Sequence, residues 1–320
     1  MDNFLKAGND IGFSTFDPNG TRAISYYDWT DLPYYYSLAF QFGTSDRWFS
    51  PQLGPTDPNR MYWYGATSLG WVATPHPPTG GFPNFTIFDL LDQAGITWKY
   101  YYQFAQPLHI TYWSIYQKDP NKFLPISSYF DDVKSESTLP QVVFIEEGEF
   151  DEHPEPNPGT TARTESVQQG AVVIKSIVDA LMQSPTWQTS AFILSYDEGG
   201  GFHDHVVPPA FVQPDGIPPI VTIGQDASGL FNQGGLRLPV VVASPWSVPH
   251  LVSHVVRDHT AILKLIETRF SLPPLTSRDA ASDNMSEFFN FASPSYLVPP
   301  TMPAQPQTEP CNLSIESAPN

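Results

Sequence analysis

Short apolar runs alternate along this chain with segments whose apolar residues recur three and four positions apart. Gln141-Val-Val-Phe-Ile145, Ala191-Phe-Ile-Leu-Ser195 and Leu238-Pro-Val-Val-Val-Ala243 are near-continuous apolar runs, which predict buried strands. Ile96-Thr-Trp-Lys-Tyr-Tyr-Tyr102 is rich in aromatic and β-branched residues and predicts another. Between them, Phe85 to Gly95 has helical spacing closed by a glycine, and Ser166 to Met182 has the spacing of an amphipathic helix. Asp258 to Phe270 predicts a last helix with Asp258 as its N-cap. One more is expected from about Pro58, after the rigid Gly54-Pro55-Thr56-Asp57 turn. The first 50 residues read as loops and short helices rich in aromatics, including Tyr34-Tyr35-Tyr36 and Trp48-Phe49. Strands alternating with helices, without hairpin turns, imply an α/β fold whose mostly parallel sheet is covered on both faces. In such sheets the ligand lies beyond the carboxyl ends of the strands.

Composition narrows the partners more than the fold. Hydrophobic content of 41% and aromatic content of 14% suit a large core, and 34 dispersed prolines imply long ordered loops around it. A net charge of −18, with 15 basic residues and no run of them, counts against nucleic acid. A phosphate-bearing substrate would have to be attracted locally, by a metal or a few placed cations. The single cysteine, Cys311, permits no intrachain disulfide. No secretory apolar region opens the sequence, and no apolar run approaches a membrane span of roughly 18 residues. After about Pro299 the chain becomes polar and proline-rich, so residues 1–300 are expected to form the domain and 301–320 a disordered tail.

The densest chemistry follows the run Ala191–Ser195. Asp197-Glu198-Gly-Gly-Gly201-Phe-His203-Asp204-His205 combines hard oxygen ligands, a backbone that permits close approach, and imidazoles. Asp197 and Glu198 are metal-ligand candidates, and His205 is a candidate for a catalytic role. A second polar cluster, Asp151-Glu152-His153, follows the run ending at Ile145; Asp151 could ligate a metal and His153 could act on phosphate, or both could belong to an acidic surface loop. Thr56 sits where a helix would present its positive end, so it is either a nucleophile candidate or a simple cap. Asn59 and Arg60 could hold phosphate oxygens, and His259 could join the site or satisfy a core carbonyl. The early aromatics could cage a choline cation or simply pack.

Taken together, these motifs resemble the phosphoesterase family of phosphatidylcholine-type phospholipases C and acid phosphatases, within the alkaline-phosphatase-like superfamily. The resemblance rests on Asp197-Glu198-Gly-Gly-Gly-Phe-His-Asp-His205-Val-Val-Pro-Pro, Met1-Asp-Asn-Phe4, Gly54-Pro-Thr56-Asp-Pro-Asn-Arg60 and Phe150-Asp-Glu-His-Pro154. Val242-Ala-Ser-Pro-Trp246, Asp258-His-Thr260 and Leu272-Pro-Pro-Leu-Thr-Ser-Arg-Asp279 extend it over nearly the whole chain. It implies a three-layer α/β/α sandwich, one divalent metal ion, and hydrolysis of a small-molecule or phospholipid phosphate ester through a phospho-threonine. On this basis Thr56 is the nucleophile and a metal ligand, and Asp197, Glu198 and Asp151 are further metal ligands. His153 and His205 are implied as catalytic, while Asn59, Arg60 and His259 stay phosphate-binding candidates on their own positions.

One departure leaves two functions open. Family members begin with a strand ending in a Glu-Asn-Arg-Ser-Phe-Asp-His-type motif, whose Glu and Asn complete the metal site, and nothing like it stands before Met1. The chain is therefore expected to be either a metal-assisted phosphoesterase or a non-catalytic binding or structural protein that retains the fold.

Overall fold

A computed structural model describes residues 24, 26–146, 167–221 and 230–307. In chain order it places α1 at Pro33–Gln41, β1 at Gly43–Ser45, α2 at Thr56–Gly65, α3 at Ile87–Gln93 and β2 at Trp98–Tyr102. Then come α4 at Ile115–Lys118, β3 at Phe123–Pro125, α5 at Ile126–Asp132, β4 at Val142–Glu146, α6 at Val167–Met182 and β5 at Phe192–Ser195. The last elements are β6 at Val240–Ala243, β7 at Leu251–Ser253, α7 at Thr260–Phe270 and α8 at Ser277–Ala280.

The predicted strands and helices fall where the pattern put them, within one or two residues. α3 stops and starts for local reasons: Thr86 and Asp89 form a reciprocal capping box, and Gly95 takes a left-handed φ of 68° just past its end. The expectation for α7 shifts by one residue. His259 is the N-cap, while Asp258 accepts from the Thr260 amide at 2.9 Å and holds the turn from one position further back.

The fold is α/β, but its strands divide into two sheets. One, in the order β3-β2-β4, is wholly parallel; the other, in the order β5-β6-β1-β7, is mixed, with β6 antiparallel to both β5 and β1. Successive strand residues point to opposite faces, and the packing follows that alternation. Tyr101, Val241 and Ala243 pack with Ala171, Ile174, Ile177 and Val178 of α6. Trp98, Tyr100 and Val142 face the other way, against Met61 and Tyr64 of α2, Phe88 of α3 and Leu263 of α7. Val240 and Val242 join Trp48, Ala261 and Phe288 in a third cluster. Helices thus cover both faces, and each fully buried apolar side chain among these adds about 1.5–3 kcal/mol over leaving it in water.

Two expectations change. Tyr34, Tyr62, Tyr64, Trp48 and Phe49 are at most 2% exposed, so these early aromatics are core rather than a cage for a cation. The start of the C-terminal tail is ordered: Gln305 donates to the carbonyl of Asp31 at 3.0 Å and accepts from the Tyr34 amide, fastening residues 301–307 beside α1. Among the described residues no helix is long and apolar enough to cross a membrane.

Candidate active site

Three chain segments meet at one end of the strands. Thr56 opens α2 behind Pro55, with no side-chain cap on the first amides and a proline at position 58 that has none. β5 ends at Ser195 and runs directly into Asp197 and Glu198. β4 ends at Glu146. The glycines after Glu198 are there for the backbone: Gly200 and Gly201 hold φ of 60° and 83°, and a Cβ on Gly199 would lie 2.9 Å from Leu236.

The meeting point is a chain of polar contacts. The Thr56 hydroxyl donates to Glu198 Oε1 at 3.0 Å, and Arg60 Nε donates to Asp197 Oδ2 at 2.7 Å. One turn of α2 therefore addresses both carboxylates, because positions 56 and 60 share a helix face. Arg60 NH1 lies 3.6 Å from Glu146 Oε1 and 3.3 Å from His109 Nδ1. His109 Nδ1 is 2.6 Å from Glu146 Oε1, and its Nε2 is 3.3 Å from Asp57, which also accepts from the Tyr112 hydroxyl at 2.9 Å. The amide of Leu108 donates to the other Glu146 oxygen at 3.0 Å.

These contacts set the charge states. Burial would raise the Asp197 carboxyl, but the Arg60 charge and hydrogen bond outweigh it and hold it below the usual range. Burial likewise works against ionised Glu146, and His109, Arg60 and the Leu108 amide overcome it. Both are ionised at neutral pH. Asp197 and Glu146 thus flank the guanidinium, Glu146 and Asp57 flank the imidazole, and Glu198 accepts from Thr56.

The expected site residues divide accordingly. Thr56, Arg60, Asp197 and Glu198 come together. Asn59 does not reach a ligand: it is fully buried, and both amide hydrogens go to the carbonyls of Gly54 and Pro55 while its oxygen accepts from the Gln52 amide. Its work is to hold the turn that presents Thr56. His259 is also fully buried, with Nδ1 3.1 Å from the Asn59 carbonyl and Nε2 2.9 Å from the Tyr196 carbonyl, so neither nitrogen can touch a phosphate. Burial pushes its pKa down to about 4, against Asp258 and the two carbonyls, which favour the proton, and the ring stacks on Trp63 at 4.4 Å, tying α2 to the end of β5. His205 faces solvent: its side chain is 82% exposed and its ring is 3.9 Å from Asp204, itself paired with Arg237 at 2.8 Å. Such a ring can meet only a group that extends out of the cleft. Asp151 and His153 lie outside the described residues.

Glu146, His109, Asp57 and Tyr112 were not picked out by sequence reasoning. Glu146 opens the acidic stretch Glu146-Glu-Gly-Glu149, and His109 stands in Pro107-Leu-His-Ile110, where nothing marks it. A hard divalent ion prefers oxygen ligands, and neighbouring ligands about a small ion stand about 3 Å apart. Thr56 Oγ1 and Glu198 Oε1 stand 3.0 Å apart, hydrogen-bonded to each other, and Asp197 is paired with Arg60. Among the described residues no group of three or more His, Cys, Asp or Glu could hold a metal unaided.

An α/β chain whose strand ends gather a hydroxyl, paired carboxylates and an arginine at a helix start has the architecture of a polar-ligand site at the carboxyl ends of its strands. The chain belongs to the Phosphoesterase family, whose model matches residues 1–273. It is 33% identical over 292 residues to non-specific phospholipase C4 of Arabidopsis thaliana, covering 85% of this chain and 52% of that one. It is 32% identical over 342 residues to phospholipase C B of Mycobacterium tuberculosis, covering 92% and 61%. The chain thus spans about half the length of the curated relatives it matches. Among solved structures, a protein of the alkaline phosphatase superfamily from Vibrio parahaemolyticus aligns with a TM-score of 0.48 at 9% identity, over 79% of this chain and 63% of that one.

Proposed function

We propose that the chain hydrolyses phosphate esters with Thr56 as nucleophile, on substrates of the phospholipase C type or on simple monoesters. The observation that carries the reading is the 3.0 Å hydrogen bond from the Thr56 hydroxyl to Glu198, at the uncapped start of a ten-residue helix. Glu198 is placed to take the hydroxyl proton as Oγ1 forms its bond to phosphorus and the bond from phosphorus to the leaving oxygen breaks. The first amides of α2 point at the forming charge, where an anion is favoured. Arg60 engages partners through Nε and NH1 among the described residues, and its remaining NH2 edge suits a phosphoryl oxygen. His153, on the resemblance, protonates the leaving oxygen, and water then cleaves the phospho-threonine by the reverse route. Asp197, Glu198 and Thr56 would hold a divalent ion, with Asp151 as a further ligand; such an ion lowers the hydroxyl pKa and neutralises charge at phosphorus. The names of the relatives, both phospholipases C, favour a phosphodiester with a small head group.

The test is turnover of p-nitrophenylphosphorylcholine and p-nitrophenyl phosphate with Mg2+, Mn2+ or Ca2+ added. Thr56→Ala is expected to lower kcat by at least about 10³-fold, while Thr56→Ser retains measurable activity. Undiminished turnover in Thr56→Ala removes Thr56 from the chemistry. A second reading, a non-catalytic binding or structural protein, is favoured by the direct Arg60–Asp197 pair, which neutralises one proposed ligand. No turnover by the parent chain with any of the three metals would support it.

A further inference from the structure

The candidate site has an apolar rim. Leu53 stands just before Thr56 in the chain, and Val207 just after His205. Tyr26 and Trp29 escape the core that takes the other early aromatics, and all four of these residues are at least 66% exposed. The ring of Tyr27, between them in sequence, meets Phe202 edge-on at 6.3 Å, directly after the glycines that follow Glu198. Single apolar residues are ordinary on a surface, but these come from segments that carry or touch the site's own groups.

The turn that carries Trp29 is fixed at the site's end of the sheets. Asp28 accepts from the Thr30 amide at 2.7 Å and from its hydroxyl at 2.6 Å, and the Asp28 amide donates to Asp31 at 2.9 Å. Gln168, in the first turn of α6, donates to the Asp31 carbonyl at 3.1 Å. α6 follows β4 and leads back to the start of β5, and the ends of both strands reach Arg60, so its first turn lies on the site's side. Charge then selects the partner. Residues 24–36, 48–57 and 198–213 contain no lysine or arginine, while Asp28, Asp31, Asp57, Glu198 and Asp204 stand among them. An anionic membrane attracts proteins through clustered cations, which this rim lacks. Tyrosine and tryptophan favour the boundary between water and hydrocarbon, and their ring faces, like the carboxylates, suit a quaternary ammonium.

We propose that this rim docks the site onto a lipid surface of zwitterionic phosphocholine headgroups, with Tyr26, Trp29, Leu53 and Val207 entering the interfacial layer. Docking holds the mouth of the site against the surface from which a phosphodiester would be drawn. That use rests on the phosphoesterase reading, whereas docking itself needs neither metal nor turnover.

Flotation of the 320-residue chain with phosphatidylcholine vesicles would be measured in EDTA. The chain is expected to float with the vesicles, and replacing about a third of the lipid by phosphatidylserine should weaken binding at low salt. Tyr26→Ser with Trp29→Ser should lower the partition coefficient at least about tenfold, and Leu53→Ser with Val207→Ser by a smaller factor. Val298→Ser, as exposed as Tyr26 but outside the rim, should leave it unchanged. Melting curves matching the parent's show that the variants are folded. No binding to phosphatidylcholine, stronger binding with phosphatidylserine, or an unchanged coefficient in either double variant would overturn the proposal. So would a lipid-free dimer that the Tyr26→Ser, Trp29→Ser variant splits, which would make the rim an interface between two copies. Docking without turnover removes the catalytic reading alone, and turnover of p-nitrophenylphosphorylcholine without docking removes this one alone.

Discussion

Arg278 and Arg60 both sit in the interior beside a carboxylate, yet their surroundings are opposite. Arg278 and Asp258 are 2% and 1% exposed, and all five guanidinium hydrogens have acceptors: Asp258 takes two, and the carbonyls of Val212, Phe231 and Pro51 take the others. Phe211 and Tyr62 stack on its faces, 4.1 and 5.7 Å from the guanidinium carbon. Charge and hydrogen bonds balance there with nothing left over, so the pair joins α8 to the start of α7 and can do no chemistry. Around Arg60 the balance fails: Asp197 and Glu146 both pair with it, Asp197 keeps 16% of its side chain exposed, and one edge of the guanidinium has no partner among the described residues. Saturation marks a brace, and surplus carboxylate marks the candidate site.

Breaking each arginine in turn tests that contrast. Arg278→Met leaves the Asp258 carboxyl without its partner in a sealed site and three carbonyls without donors, and should cost about 3–5 kcal/mol in urea unfolding. A loss under about 1 kcal/mol would mean the brace is not one. Arg60→Met should cost less, roughly 1–3 kcal/mol, because Asp197 can rehydrate. Millimolar Mg2+ or Ca2+ should recover part of that loss, since cations can replace the missing charge among the carboxylates, and should recover none of the loss in Arg278→Met. Equal responses of the two variants to metal would erase the distinction.

The smallest effect concerns Glu267, 2% exposed on α7 below Asp279 and 3.8 Å from Lys264. Burial, then Asp279, push its pKa up from 4.5 to about 9, so the folded protein keeps it protonated at pH 7. A raised folded value contributes stability that is complete below about 4.5 and is lost as pH climbs toward 9. Glu267→Gln removes that slope. Its melting temperature relative to the parent should rise steadily from pH 5 to pH 9, and a constant difference across that range would show that Glu267 is ionised throughout.

The readability of this chain follows the range of the interactions involved. The periodic runs at 141–145, 166–182, 191–195 and 238–243 became strands and a helix because their apolar faces agree with local geometry, whatever they pack against. Thr56, Asp197 and Glu198 were legible because each stands at a chain feature visible locally, a proline-bounded helix start or a strand running into glycines. Asn59 and His259 stand inside those same motifs yet turn inward to carbonyls, and no local pattern tells a side chain that binds from one that braces. His109 reaches Glu146 and Asp57 across long stretches of chain, so nothing near them announces the network.

By itself, then, the sequence determined the element order, the α/β class, the family, and the two motifs from which a site could be built. Only the tertiary structure decided that Arg60 bridges the ends of β4 and β5, that His205 faces water, and that the strands form two sheets. Periodicity and turn chemistry act over a few neighbouring residues, whereas charge pairing and strand order depend on distances in space that the folded chain alone sets.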